Sequence, residues 1–210
     1  ESGDLGWKFH LPYGNGGSSR YLSIAYIIVP NDKSDLPHRQ VSKTHKKYNL
    51  LFNVEHKGCD LRPDERNYFL QRTIDMLITY PDIKMGVITV KKERVYEHIR
   101  KDGNILYNYM ANLGLGDQLN GYSGNIELIR DERSIKVKSG NSLVEYLQTQ
   151  LWFERNSKAF LIDKPTKSHQ NFNVLFIDWV CNTMWTNYEY KINCGFSNLA
   201  PYMNIKTLFF

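Results

Sequence analysis

Cysteine is scarce in this chain: three residues (Cys59, Cys181, Cys194) among 210. The number is odd and no two have C-x-x-C spacing, which argues against a zinc cluster and for a reducing, cytoplasmic compartment. Long apolar runs are lacking too. The longest candidates are interrupted by Pro30 and Asp178, so no bilayer span and no membrane partner is expected. There is no G-x-S-x-G nucleophile elbow. There is no Walker A loop either, since Gly14-Asn15-Gly16-Gly17-Ser18-Ser19 lacks the lysine and the spacing. The six histidines form no H-E-x-x-H. With no internal repeat, low-complexity tract or inter-domain linker, residues 1–210 read as one domain. The chain opens at Glu1 rather than at methionine. Its first strand is therefore expected to be truncated at the N-terminus.

What is present describes a globular protein. Hydrophobic residues make up 41% and charged residues 23%. The net charge of +5 is compatible with a nucleic-acid partner, through phosphate neutralisation and counterion release. Many ordinary proteins are equally basic, so the charge lends this only weak support. Fourteen tyrosines, ten phenylalanines and four tryptophans are mostly core material, although some could stack on bases.

The chain is organised around Asn173 to Tyr190, NVLFIDWVCNTMWTNYEY. Ile177, Val180, Cys181, Met184 and Tyr188 fall at helical spacing, and Val174, Leu175, Phe176, Trp179 and Trp185 fill most other directions. A helix apolar nearly all round is buried. In its middle stands one carboxylate, Asp178, which must find cations, donors or a metal, because an unpaired buried carboxylate is very costly.

The remaining elements alternate. Tyr21 to Val29 (YLSIAYIIV) reads as a strand stopped by Pro30, and Asn31 to Lys47 as a polar, basic stretch with a short helix. Tyr48 to Glu55 reads as a short strand or an approach to one. Glu65 to Tyr80 reads as an amphipathic helix ended by Pro81. Lys84 to Val90 is a strand. Glu93 to Asn112 reads as a long helix weakened at Gly103 and closed by Gly114 and Gly116. Asn125 to Arg130 is a strand delivering Asp131 and Glu132. Ser142-Leu143-Val144-Glu145 fits a capping box, and Lys158 to Ile162 is a short strand. The C-terminal IKTLFF reads as an edge strand or a contact surface. Strands alternating with helices predict an α/β domain.

Several carboxylates then fall where strands or buried helices end: Glu1 and Asp4, Glu55, Asp131 and Glu132, and Asp178. Ends of adjacent strands in an α/β sheet can converge on one crevice. Carboxylates gathered there repel one another, and Mg²⁺ or Mn²⁺ relieves that repulsion through oxygen ligands while keeping waters for reaction. Two such ions about 3.5–4 Å apart stabilise both oxygens of a phosphodiester displacement. Taken singly, each acid also has a plain structural explanation. Asp4 can serve a turn, Glu55 can pair with a lysine, and Asp131 can accept in a turn. Asp178 is the hardest to explain that way. Lys43, Lys46, Lys47, Lys57 and Lys91 are the cations placed to hold a nucleic-acid backbone.

The opening Glu1-Ser2-Gly3-Asp4-Leu5-Gly6, followed by a loop and YLSIAYIIV, resembles the start of domain of unknown function 3800, a prokaryotic and phage family. The resemblance continues in Glu55-His56-Lys57, in Asp131-Glu132-Arg133-Ser134 after a strand, and in Ser168 ahead of the helix bearing Asp178. It implies a ribonuclease-H-like fold: a mixed central sheet flanked by helices, with an acidic metal centre. Carried over, it implies that Glu1, Asp131 and Asp178 are catalytic acids, with Glu55 a looser match. The Asp that precedes the family's opening Glu would fall before Glu1, the first residue of the sequence. Leu175 stands where the family's closing motif has glutamine. The resemblance implies a divalent-metal-dependent nuclease; the alternative is an inactive nucleic-acid- or protein-binding accessory protein, phage- or defence-associated, on the same fold.

Overall fold

The computed structural model describes residues 1–52, 54–131 and 142–210. Among these residues the protein is α/β. Its strands are β1 (Tyr21–Ile28), β2 (Lys84–Lys91), β3 (Ser123–Asp131), β4 (Lys158–Thr166) and β5 (Asn204–Leu208). Its α-helices are α1 (Leu36–Tyr48), α2 (Pro63–Thr79), α3 (Glu97–Arg100), α4 (Gly103–Leu119), α5 (Leu143–Thr149), α6 (Phe172–Tyr190) and α7 (Phe196–Leu199). One sheet has the order β1-β2-β5 and is mixed: β1 and β2 are antiparallel, β2 and β5 parallel. A second sheet is a parallel pair of β3 and β4.

The sequence KMGVITVK of β2 is apolar on both faces because β2 is the central strand, covered on both sides. Met85 and Val87 point into a core built with α1, α2 and α6, which includes Val41, Phe69 and Phe176. Ile88 and Val90 point the other way, onto Leu106 and Met110 of α4. Burying each such side chain contributes about 1.5–3 kcal/mol. A third cluster joins Ala111 and Leu119 of α4 to Leu147 of α5 and Leu161 of β4, and so seats the second sheet.

Two expected elements differ. No strand runs from Tyr48 to Glu55 among the described residues. Helix α1 continues to Tyr48 and is closed by Asn49 in the left-handed conformation (φ 54°), a backbone setting that asparagine tolerates. Glu55 therefore ends no strand. The single helix expected over Glu93–Asn112 is broken: a turn at Lys92–Arg94, the short α3, then α4 beginning at Gly103. Asp102 starts α4 by accepting the Asn104 amide at 2.9 Å. Gly116 lies inside α4, where a Cβ would stand 2.6 Å from the Arg155 guanidinium carbon. The capping box at Ser142 and Glu145 is present, and IKTLFF supplies the edge strand β5. Glu132, Arg133 and Ser134 lie outside the described residues.

Candidate functional site

Helix α6 is enclosed along most of its length, as its composition dictates: Trp179, Val180, Cys181 and Met184 are all at most 1% exposed. One line of side chains escapes the core. Asp178, Asn182 and Thr186 recur every four residues and so share a face, and with Trp185 they form one wall of a cleft of about 570 Å³. Asp178 is accordingly half-buried rather than enclosed. The sequence predicts a carboxylate sealed in the core. The cleft opens to it because Asn182 and Thr186 extend its face as a polar stripe.

The first residues reach this cleft by pairing with β1. Ser2 and Ser23 exchange both backbone hydrogen bonds, at 3.0 and 2.9 Å. Gly3 then turns with φ +91°, where a Cβ would lie 2.4 Å from the Tyr21 carbonyl oxygen, so only glycine fits. The Trp185 indole donates to that same carbonyl at 2.9 Å. Glu1 is thereby placed on the cleft wall.

The adjoining wall is the turn at Lys57–Cys59. Trp179 Nε1 donates to the His56 carbonyl at 2.6 Å, and the Gly58 amide donates to Asp178 Oδ2 at 3.1 Å. A Cβ on Gly58 would meet the Asn182 Cβ at 2.5 Å, so glycine permits the close approach that this hydrogen bond needs. Arg66, from the first turns of α2, locks the turn from below. Its guanidinium donates to the Gly58 carbonyl at 2.8 Å, to Asn182 Oδ1 at 3.4 Å and to Cys194 Sγ at 2.9 Å. Lys57 and Arg66 both line the cleft.

Burial pushes the Asp178 carboxyl above its ordinary pKa. The Glu1 amino group, the Gly58 amide and Lys57 pull it back, and Asp131 pushes it further up. The nitrogen of Glu1 senses the same neighbours. Burial lowers its pKa, yet Cys181, the Glu1 carboxylate, Asp178 and Asp131 together hold it at about 10. The Cys181 thiol is itself pushed up by burial and stays protonated at neutral pH. Asp131, exposed at the end of β3, does not line the cleft with Glu1 and Asp178; only its charge is felt there. Cys59 also lines the cleft, but burial and Asp60 raise its pKa, so it is no ready nucleophile.

The other candidate acids are occupied elsewhere. Asp4 Oδ1 accepts the Gly6 amide at 2.6 Å, and its Oδ2 accepts the Ser19 amide at 2.7 Å. The fully buried Lys92 ammonium stands 3.2 Å from Oδ1 and also donates to the carbonyls of Asp4 and Gly6. Burial raises the Asp4 pKa, but the Ser19 amide, Lys92 and the Gly6 amide outweigh it and leave the carboxyl below its ordinary value. Asp4 is thus the anchor of the N-terminal loop and does not line the cleft. Glu55 accepts from the Ser168 hydroxyl, has Lys57 at 3.8 Å, and also lies outside the cleft wall. Of the five lysines, Lys57 alone lines the cleft. Lys43, Lys46 and Lys47 are exposed on α1, where Lys47 sits 3.8 Å over the Tyr68 ring. Lys91 closes β2 opposite Tyr21.

The sequence reading missed Arg66, Asn182 and the aromatic side of the cleft. A signal existed for Asn182: polar residues at i, i+4 and i+8 in a greasy helix mark an uncovered stripe. For Arg66 no local signal exists, because its partners lie at residues 58, 182 and 194.

Carboxylate oxygens are the donor chemistry that Mg²⁺ or Mn²⁺ prefers. Among the described residues no three His, Cys, Asp or Glu side chains are grouped closely enough to hold a metal by themselves. Asp178 and Glu1 are the two carboxylate residues on the cleft wall. Among the described residues no helix is long and apolar enough to cross a membrane. No protein-family model matches the chain, and neither does any curated protein or solved structure compared with it.

Proposed function

We propose that the chain is a divalent-metal-dependent nuclease of ribonuclease-H-like architecture, acting on phosphodiester bonds of nucleic acid. The observation that carries this reading is the setting of Asp178. It is a desolvated carboxylate of raised pKa, aimed by a backbone amide at a cleft that also holds Glu1, Lys57 and Arg66, with the charge of Asp131 acting on it. A cation relieves this repulsion, and two basic side chains stand ready for phosphate.

Asp178 and Glu1 would hold the ion, with Asp131 adding negative charge from the end of β3. The ion supplies Lewis acidity and an activated water. Gly58 orients Asp178 through its amide. Lys57 and Arg66 bind and orient the phosphate, and Arg66 is itself fixed by Gly58 and Asn182. The mixed β1-β2-β5 sheet, with helices packed on both of its faces, supports the architecture. Ser2 pairs antiparallel on the β1 edge away from β2, while the nitrogen of Glu1 feels Asp131 at the end of β3. Leu175, at the position of the family's glutamine, is 1% exposed within the core of α1, α2 and α6. Its side chain therefore takes nothing from the cleft.

The test is cleavage of single- and double-stranded DNA and RNA with Mn²⁺ and with EDTA. Cleavage should require the ion and fall at least about 100-fold in Asp178→Asn, since even outer-shell partners of metal sites are worth 10–100-fold. Metal-independent cleavage, or an undiminished variant, refutes the proposal. The lack of a three-ligand group among the described residues favours one second reading: nucleic-acid binding without turnover. Binding undisturbed by EDTA, with no cleavage under any condition, is its signature.

A further inference from the structure

Two aromatic side chains of the cleft stay largely open to solvent. Trp185 is buried and tied to the Tyr21 carbonyl. Tyr13, from the N-terminal loop, and Tyr190, from the last turn of α6, each meet it edge-on, with centroids at 5.6 and 5.4 Å and interplanar angles of 67° and 83°. Yet Tyr13 is 42% exposed and Tyr190 50% exposed, and both line the cleft. Trp185 is thus held in place, with both tyrosine rings packed edge-on against it. Lys57 and Arg66 line the same cleft, and Arg66 is held in place by the Gly58 carbonyl and Asn182.

Aromatic faces beside fixed cations match the chemistry of an unstacked base with its phosphate. A duplex offers no such match, because its bases stack on one another and present only their edges in the grooves. The cleft volume of about 570 Å³ falls within the range of about 300–1,000 Å³ that encloses a small organic group. We propose that the cleft selects single-stranded nucleic acid, seating one unstacked base against Tyr13, Trp185 and Tyr190 and its phosphate on Lys57 and Arg66. This rests on the nucleic-acid reading above and names the substrate class of that site.

The test is fluorescence anisotropy in EDTA, with a labelled 12-nucleotide single strand and the same sequence as a duplex. The single strand should bind more tightly than the duplex. Tyr13→Ala with Tyr190→Ala should weaken single-strand binding about 5- to 150-fold, the range for losing one stacked base, and leave duplex binding unchanged. Tyr13→Phe with Tyr190→Phe keeps the rings and should bind within about twofold of wild type, which separates stacking from misfolding. Duplex binding as tight as single-strand binding, or alanine variants that bind the single strand normally, overturns the proposal. Cleavage in Mn²⁺ is scored separately. Tyrosine-dependent single-strand binding without cleavage would sink the nuclease reading and leave this one standing. Metal-dependent cleavage of duplex that ignores both tyrosines would do the reverse.

Discussion

Replacing Asp178 with asparagine separates a structural carboxylate from one that waits for a cation. The amide keeps the shape and can still accept the Gly58 N–H seen at 3.1 Å, so about 1 kcal/mol of hydrogen bonding is retained. What is lost is the charge. An acid whose folded pKa lies above its unfolded value contributes stability below the unfolded value and loses it as pH rises through the folded one. Burial raises the Asp178 pKa, so at neutral pH its ionised form is a net cost to the folded chain. In EDTA at pH 7 the Asp178→Asn protein should therefore melt at or above the wild-type temperature. With Mn²⁺ at ten times its Kd, a cation bound only to the folded state adds about 1.4 kcal/mol. For a chain of 210 residues that is a rise of about 3–6 °C for wild type. The variant should gain less than about 1 °C under the same conditions. Differential scanning calorimetry with and without the ion measures both differences. A variant that keeps the full cation-induced rise, or a wild type that shows none at millimolar Mn²⁺, refutes the placement of the cation at Asp178.

Lys92→Met should cost about 1–3 kcal/mol, the range for leaving buried acceptors unsatisfied, because it strips Asp4, Gly6 and Ser19 of a fully buried donor; a urea midpoint within error of wild type would contradict this. Gly3→Ala forces a side chain into a φ +91° turn against the Tyr21 carbonyl, so it should melt lower and loosen the Ser2–Ser23 pairing, read as faster amide exchange at Ser23. Arg66→Lys should not restore what Arg66→Ala loses in nucleic-acid affinity, since a point charge cannot span the Gly58 carbonyl, Asn182 and Cys194 together. His45 is fully buried between Trp179, Phe172 and Phe52, and burial followed by the nearby His56 lowers its pKa. Stability from a base with a depressed folded pKa is present above its unfolded value, about 6.5, and is lost as pH falls below it. The urea midpoint of wild type should drop between pH 7 and 5, and His45→Phe should flatten that drop.

Periodicity carried much of this protein on its surface. The apolar repeat of α6, the unbroken run of β2 and the S-x-x-E box before α5 are local patterns, and each forms the element its residues favour. Breaks were harder to read. Asn49 closing α1 and Asp102 opening α4 act through single backbone conformations and one side-chain hydrogen bond, which helical spacing does not register. For the site, the sequence by itself determined that Asp178 stands in a helix with almost no polar surface, so that it needed partners. It did not say which. Whether Asp4 joins Asp178 or is drawn away by Lys92 depends on a contact across 88 residues. Bringing Arg66 within reach of both Gly58 and Asn182 spans as many as 116. Such pairings follow from how sheets and helices stack, because a side chain's chemistry fixes what it can bind while only the packed backbone fixes what comes within reach.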